Sequence, residues 1–209
     1  AAPLAASSTT DIETVLSEDA IDAVTITTPT PTHADLIVAV VNAGKHVFVE
    51  KPVASDLAGA RRAAAAVRAN GVSCQVGFQR RYDPAYIEAK HRIDVGELGT
   101  LEVFRAVSRD PSPPSLKFLL SSGGLMVDLA IHALDSARFF MGEVADVHCV
   151  GGVLAVPPLA EHGLHDTAVA TLPLAPRALG TVEPALPTSS ASAIRHTLPD
   201  RLARSPLAL

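Results

Sequence analysis

The sequence predicts an α/β chain in which an incomplete parallel sheet is followed by an α+β domain with an open, mostly antiparallel sheet. Three observations predict it. Between residues 22 and 78, short β-branched runs alternate with helical stretches in the order strand–helix–strand–helix–strand. That order belongs to right-handed crossovers in a parallel sheet. After Gly77 the runs alternate apolar and polar residues, as antiparallel strands with one wet face do. Among them lies one strongly apolar stretch, Ser121 to Phe140, of a kind that an open sheet face can bury.

The first ten residues are small and polar and read as a loop, and residues 11–16 make a short helix. Asp22 to Thr27 is a brief strand ending in the rigid loop Thr28-Pro29-Thr30-Pro31-Thr32-His33. Ala34 to Asn42 is a helix whose apolar positions are Leu36, Ile37, Val40 and Val41, stopped at Gly44. His46 to Val49 is the next strand, ending in Glu50-Lys51-Pro52. Ser55 to Ala69 is an alanine-rich helix closed by Asn70-Gly71, and Ser73 to Phe78 is a third strand. Ligands gather at the carboxyl ends of parallel strands. Thr28-Pro29 with His33, and Glu50-Lys51-Pro52, stand there. Proline after Lys51 keeps that residue out of helical geometry, although a surface turn is the commoner fate of a lysine.

Beyond Gly77, Gln79 to Pro84 is a polar junction, Ala85 to Ile93 a helix, and Thr100 to Ser108 an alternating strand. Arg109 to Pro114 is a stiff linker into the long helix. Strand-like runs follow at Asp146–Val156, Asp166–Leu174 and Ala178–Glu183. The expected domains are 1–78 and 79–183, with an irregular tail over 184–209 where the pattern dissolves.

Read as one helix, Ser121–Phe140 is capped by Ser122 or a glycine and stopped at Gly142. Asp128, His132 and Asp135 then share one polar stripe at i, i+4 and i+7. Three readings stay open. The stripe is an internal ion pair, or an acid/base site in which Asp128 fixes the tautomer of His132. A metal site would need a further ligand aimed at the same point, and none is assigned.

The 209 residues carry a net charge of −5, which leaves no basic footprint for nucleic acid. No apolar run approaches a membrane span and no signal peptide is read, so no membrane partner is expected. Two cysteines, Cys74 and Cys149, make no disulfide framework, and a reducing, cytoplasmic setting fits.

TPTPTH (28–33), VEKP (49–52), GFQRRYD (77–83) and SGGLMVDLAIHALD (122–135), in this order and spacing, resemble the Gfo/Idh/MocA oxidoreductase family over about residues 11–183. SRDPSPP (108–114) looks most like its bacterial inositol 2-dehydrogenase branch. The resemblance implies a Rossmann domain binding NAD or NADP and a second domain for a polyol or sugar, often with a homo-oligomer contact. It implies Lys51, Asp128 and His132 as the catalytic set, and Thr28, Pro29, His33, Glu50 and Lys51 along the dinucleotide. Arg80, Asp110 and Asp135 would face the substrate, though Arg80 reads equally as a salt-bridge partner of Asp83 or of the domain junction.

The family opens with a strand, a G-x-G-x-x-G/A turn and a helix, then a strand ending in an acidic residue. This sequence shows no such turn; Gly44, Gly59 and Gly71 are isolated. The expectation is therefore a chain opening inside the cofactor domain, with an exposed strand edge. Its irregular end suggests a truncated or frame-shifted coding region, and a partly folded product would follow. Two function classes result: a dehydrogenase oxidising a secondary hydroxyl of a cyclic polyol, myo-inositol first and another sugar next, or a non-catalytic binding or assembly module of the same family.

Overall fold

The computed structural model describes residues 7–110, 114–175 and 177–186, and the backbone of 195–196. The fold is α/β, in two compact units, Ala1–Gly77 and Phe78–Leu209. The first runs α1 (Ile12–Ser17), β1 (Ala23–Ile26), α2 (His33–Asn42), β2 (His46–Val49), α3 (Leu57–Asn70) and β3 (Cys74–Val76). Its three strands are parallel in the order β1-β2-β3. Ile37, Val40 and Val41 of α2 and Ala63 of α3 pack with Ile26, Val47 and Val49, the strand positions of one phase. The other phase aligns Thr25, Phe48 and Gln75 on the opposite face, with Thr25 and Gln75 exposed. Among the described residues β1 is paired on one side only. Asp56 caps α3 by accepting the Gly59 N–H at 2.7 Å. Buried Lys45 donates to the carbonyls of Glu18 and Ile21, both at 2.8 Å, and so ties the turn before β1 to the start of β2.

The second unit runs α4 (Pro84–Asp94), β4 (Val103–Arg109), α5 (Leu116–Ser121), α6 (Gly124–Asp128), α7 (Ile131–Met141), β5 (His148–Gly152), β6 (Thr167–Leu174), β7 (Ala178–Ala185) and β8 (Arg195–His196). The five strands lie in the order β5-β6-β7-β4-β8. Among the described pairings of this sheet, β4–β7 is parallel and the others are antiparallel. Ala130, Ala133 and Ala137 pack with Phe104, Ala106, Ala170, Leu172 and Val182 on the buried phase of the sheet. Alanine at these helix positions lets the backbone of α7 approach the strands closely. The outward phase carries exposed Val103, Val150, Val169 and Leu179. No helix among the described residues is long and apolar enough to cross a membrane.

Two sequence expectations need correction. The stretch 121–140 is not one helix but the end of α5 followed by α6 and α7. Gly123 and Gly124 do not simply cap it: they have φ of +88° and +77° and turn the chain through left-handed geometry that other residues resist. A second break follows at Leu129–Ala130, where both N–H groups converge on the Leu125 carbonyl at 3.1 and 3.0 Å. The irregular tail also begins later than residue 184, because β7 runs on through Ala185 beside Arg109 of β4. Arg195–His196 add a short antiparallel strand to β4. The rest of the tail, and residues 111–113 of the linker, lie outside the described residues.

Candidate active site

In the first unit the parallel strands deliver their carboxyl ends to one edge of the sheet. Thr28 and Pro29 follow β1 and are exposed; Glu50 and Lys51 follow β2 and are half-buried. The turn after β1 is braced internally. Thr28 Oγ1 lies 2.6 Å from Thr32 Oγ1, which donates to the Pro29 carbonyl at 2.8 Å. Sequence reading places His33 along the dinucleotide. The ring is instead 1% exposed and turned into the protein. Its Nδ1 lies 2.7 Å from the Pro52 carbonyl oxygen and its Nε2 2.7 Å from that of Thr28. Both ring nitrogens thus face carbonyl oxygens, one from each turn. His33 therefore fastens the turn after β1 to the turn carrying Lys51. Gly77 completes this edge: a Cβ there would stand 3.1 Å from Glu50 Oε1, so the glycine leaves room for that carboxylate.

In the second unit the expected polar stripe is divided by the helix break. Asp128 ends α6, His132 lies in the first turn of α7, and both are half-buried. His132 accepts through its carbonyl from Ser136 Oγ at 2.7 Å. Asp135, one helical turn on, is buried and bound by Arg81, whose Nε and Nη2 donate to its two oxygens at 2.9 and 2.7 Å. That hydrogen bond, ahead of the opposing cost of burial, raises the Arg81 pKa above its ordinary value. The carboxylate expected to face a polyol is thus already engaged by a protein cation. The arginine that engages it is Arg81, one residue past the Arg80 that the sequence singles out.

Arg80 is half-buried, and its Nη1 is buried with no hydrogen-bond partner among the described residues. The same holds for Ser108 Oγ, which sequence reading missed. Its signal was the phase of β4: Ser108 follows Phe104 and Ala106 on the buried side. A hydroxyl there invites a polar partner. Asp110, half-buried just past β4, donates its N–H to the Ala185 carbonyl at 3.2 Å. Among the described residues no group of three or more His, Cys, Asp or Glu is placed to hold a metal ion.

Parallel strands with polar and charged residues just past their carboxyl ends, followed by a helix-covered mixed sheet, define a two-unit α/β architecture of the kind that binds ligands at its strand ends. Comparison makes this specific. Residues 1–78 match the oxidoreductase family described as having an NAD-binding Rossmann fold, and residues 86–193 match the GFO/IDH/MocA C-terminal domain. The chain belongs to the Gfo/Idh/MocA family. It is 42% identical over 170 residues to the scyllo-inositol 2-dehydrogenase (NAD(+)) of Bacillus subtilis, covering 81% of this chain and 50% of that one. It is 37% identical to the myo-inositol 2-dehydrogenase of Thermotoga maritima, over 83% of this chain and 52% of the relative. The structure of Lactobacillus casei scyllo-inositol dehydrogenase with bound NAD(H) and scyllo-inositol superposes with a TM-score of 0.75 at 30% identity, covering 88% and 55% of the two chains. The chain spans about half the length of the curated relatives it matches.

Proposed function

We propose that the protein is an NAD-dependent dehydrogenase that oxidises a secondary hydroxyl of a cyclic polyol, an inositol. The observation that carries this reading is the placement of Lys51. It follows β2 of a domain matched to an NAD-binding fold, in a turn whose Pro52 carbonyl is fastened through His33 to the end of the adjacent strand. The exposed Thr28–Pro29 turn and the half-buried Lys51 fit the nicotinamide end of a dinucleotide, since ligands of such sheets bind at the strand ends. NAD, when bound, supplies the hydride acceptor.

The chain's own residues do the rest. His132 takes the hydroxyl proton, because an imidazole is suited to proton transfer near neutrality. Asp128 orients that imidazole and stabilises it once charged, in the manner of a triad carboxylate. Lys51 donates a hydrogen bond to the developing alkoxide. Arg80 and Asp110 serve the polyol, with Nη1 of Arg80, which has no hydrogen-bond partner among the described residues, a donor for one of its hydroxyls. Asp135 acts through Arg81 rather than on the substrate directly. The unpaired cysteines support a cytoplasmic setting. The exposed valines and Leu179 on the outward sheet face support a homo-oligomer.

The test is reduction of NAD with myo-inositol and with scyllo-inositol at mildly alkaline pH, in the protein and in its Lys51→Ala and His132→Ala variants. Turnover lost in both variants supports the reading. Turnover that survives either substitution, or an unaltered protein that neither binds NAD nor turns over, overturns it.

A further inference from the structure

Asp166, just before β6, is fully buried and plays no part in the reaction read above. Its carboxylate accepts from three successive amides. Leu154 N–H reaches Oδ1 at 2.9 Å, and Ala155 and Val156 N–H each reach Oδ2 at 2.7 Å. Thr167 Oγ1 adds a fourth donor at 2.8 Å. Three amides in a row make the kind of concave nest that ordinarily takes an anion; here the chain supplies the anion itself. The Asp166 main chain is engaged too: its N–H donates to the Gly152 carbonyl at 3.1 Å and its carbonyl accepts from Leu186 at 2.8 Å. One residue thus fixes the end of β5, the segment after β7, and the loop 153–164.

That loop carries Leu159, 1% exposed, which packs with Leu119, Leu125, Ala168 and Leu186. Leu164 comes so close to Gly124 that a Cβ there would meet its Cδ2 at 3.1 Å. Met126 and Leu129 join the same cluster. These contacts grip α6, which needs them. It has five residues, no side-chain cap at its N-terminus, and a left-handed glycine before it. A helix that short has no stability of its own, so its position is set by what it packs on.

We propose that Asp166 is a positioning residue for Asp128 and His132. Its carboxylate fixes the loop, the loop's leucines hold α6, and α6 sets where Asp128 and the following α7 begin. The inference rests on reading Asp128 and His132 as the proton-handling pair. Asp166→Asn keeps the volume but replaces one acceptor oxygen and the negative charge by an amide NH₂, so the donors facing that nitrogen lose their acceptor and the rest are held only by a neutral carbonyl oxygen.

The test combines hydrogen exchange with kinetics. In Asp166→Asn, exchange is expected to quicken at least tenfold at amides 154–156 and also across 125–130, while 37–41 in the other unit stay unchanged. Leu159→Ala, which keeps Asp166, is expected to quicken 125–130 without 154–156. The kcat for polyol oxidation is expected to fall more than tenfold in Asp166→Asn, with NAD affinity within twofold. Quickening confined to 154–156, or uniform through both units, overturns the proposal, as does a kcat within twofold. His132→Ala is run beside it. If that variant keeps full turnover, the proton-handling reading fails, and the positioning of that pair fails with it. If His132→Ala is inactive while Asp166→Asn is unimpaired, only the positioning role is refuted.

Discussion

Arg81 grips Asp135 with two nitrogens. Nε donates to Oδ2 at 2.9 Å, Nη2 donates to Oδ1 at 2.7 Å, and the guanidinium carbon lies 5.2 Å from the centre of the Phe139 ring. The pair joins the turn Gln79–Tyr82 to the middle of α7. Asp135 is 7% exposed and Arg81 38%, so the carboxylate bears the greater penalty when the pair is broken.

Arg81→Ala leaves that carboxylate buried without its cation and is expected to cost about 2–3 kcal/mol of unfolding free energy. Arg81→Lys is expected to recover only part, because an ammonium cannot reproduce the fork or stack on the ring in the same way. Arg81→Ala combined with Asp135→Asn should be milder than Arg81→Ala alone, since the orphaned charge is gone. Urea unfolding of the three variants reads the order. A single Arg81→Ala within 0.5 kcal/mol of the parent, about the scatter of ordinary surface substitutions, would show that the fork carries no weight.

The ring of His33 predicts a coupled effect. His33→Ala orphans the carbonyls of Thr28 and Pro52 and leaves a cavity under both turns. The expected loss is about 2–4 kcal/mol, from unsatisfied groups and lost packing together. His33→Gln donates from one amide nitrogen and should restore one contact, giving an intermediate stability. In the proposed function the turn carrying Lys51 also loosens, so NAD should bind more weakly in His33→Ala than in an equally destabilised variant of the α2 core such as Val40→Ala. Calorimetric titration of NAD into both variants makes the comparison; equal affinities would separate His33 from the cofactor turn.

Much of the first unit was legible because its signals are local. Val24-Thr25-Ile26 and His46 to Val49 are β-branched or aromatic runs punctuated by Pro29, Gly44 and Pro52, and the structure ends its strands there. Ser121–Phe140 was misread because the same glycines that stop a helix can also cap one. The break at Leu129–Ala130 has no punctuation at all. It is imposed by packing, with Leu129 in the cluster around Leu159 and Ala130 against the sheet. The choice between Arg80 and Arg81 depended on the phase of a single 3-10 turn, which adjacent identical residues cannot reveal. Asp166 was read only as the start of a strand, because the amides it binds lie 10–12 residues earlier and reach it only when the loop folds back.

Gly123 gives a prediction with two separable parts. An alanine there meets φ of +88° and places its Cβ 2.8 Å from Val127 Cγ1. The backbone part costs about 1–2 kcal/mol for a left-handed L-residue, and the clash adds to it. In Gly123→Ala with Val127→Ala the contact with Cγ1 is removed, while the one with the Val127 Cβ, 2.9 Å away, and the backbone part remain. The double variant should therefore unfold at higher denaturant than the sum of the single losses predicts, a coupling that double-mutant analysis measures. Strict additivity would mean that α6 shifts to accommodate the new methyl group.

Asp166 also shapes the acid side of the stability curve. Burial alone would raise its pKa; the Leu154, Ala155 and Val156 amides and the Thr167 hydroxyl more than offset that and hold it below the usual carboxylate value. A folded pKa below the unfolded one means that the unfolded chain binds more protons across that interval. Stability from Asp166 is therefore fully present above the ordinary aspartate value of about 3.9 and is lost as pH falls through it toward the folded value. Glu143, held low by Arg138, loses stability in the same direction, but that pair lies on the surface and is weakened by salt. The contributions separate by difference. The gap in unfolding free energy between the parent and Asp166→Asn should be widest at pH 6–7 and narrow steadily below about pH 4, at high salt as at low. The Glu143 part is common to both proteins and cancels. A gap that stayed constant from pH 7 down to pH 3 would mean that Asp166 has the same pKa in the folded and unfolded chains, and a gap that widened as pH fell would mean that the amide nest is filled by a neutral acid.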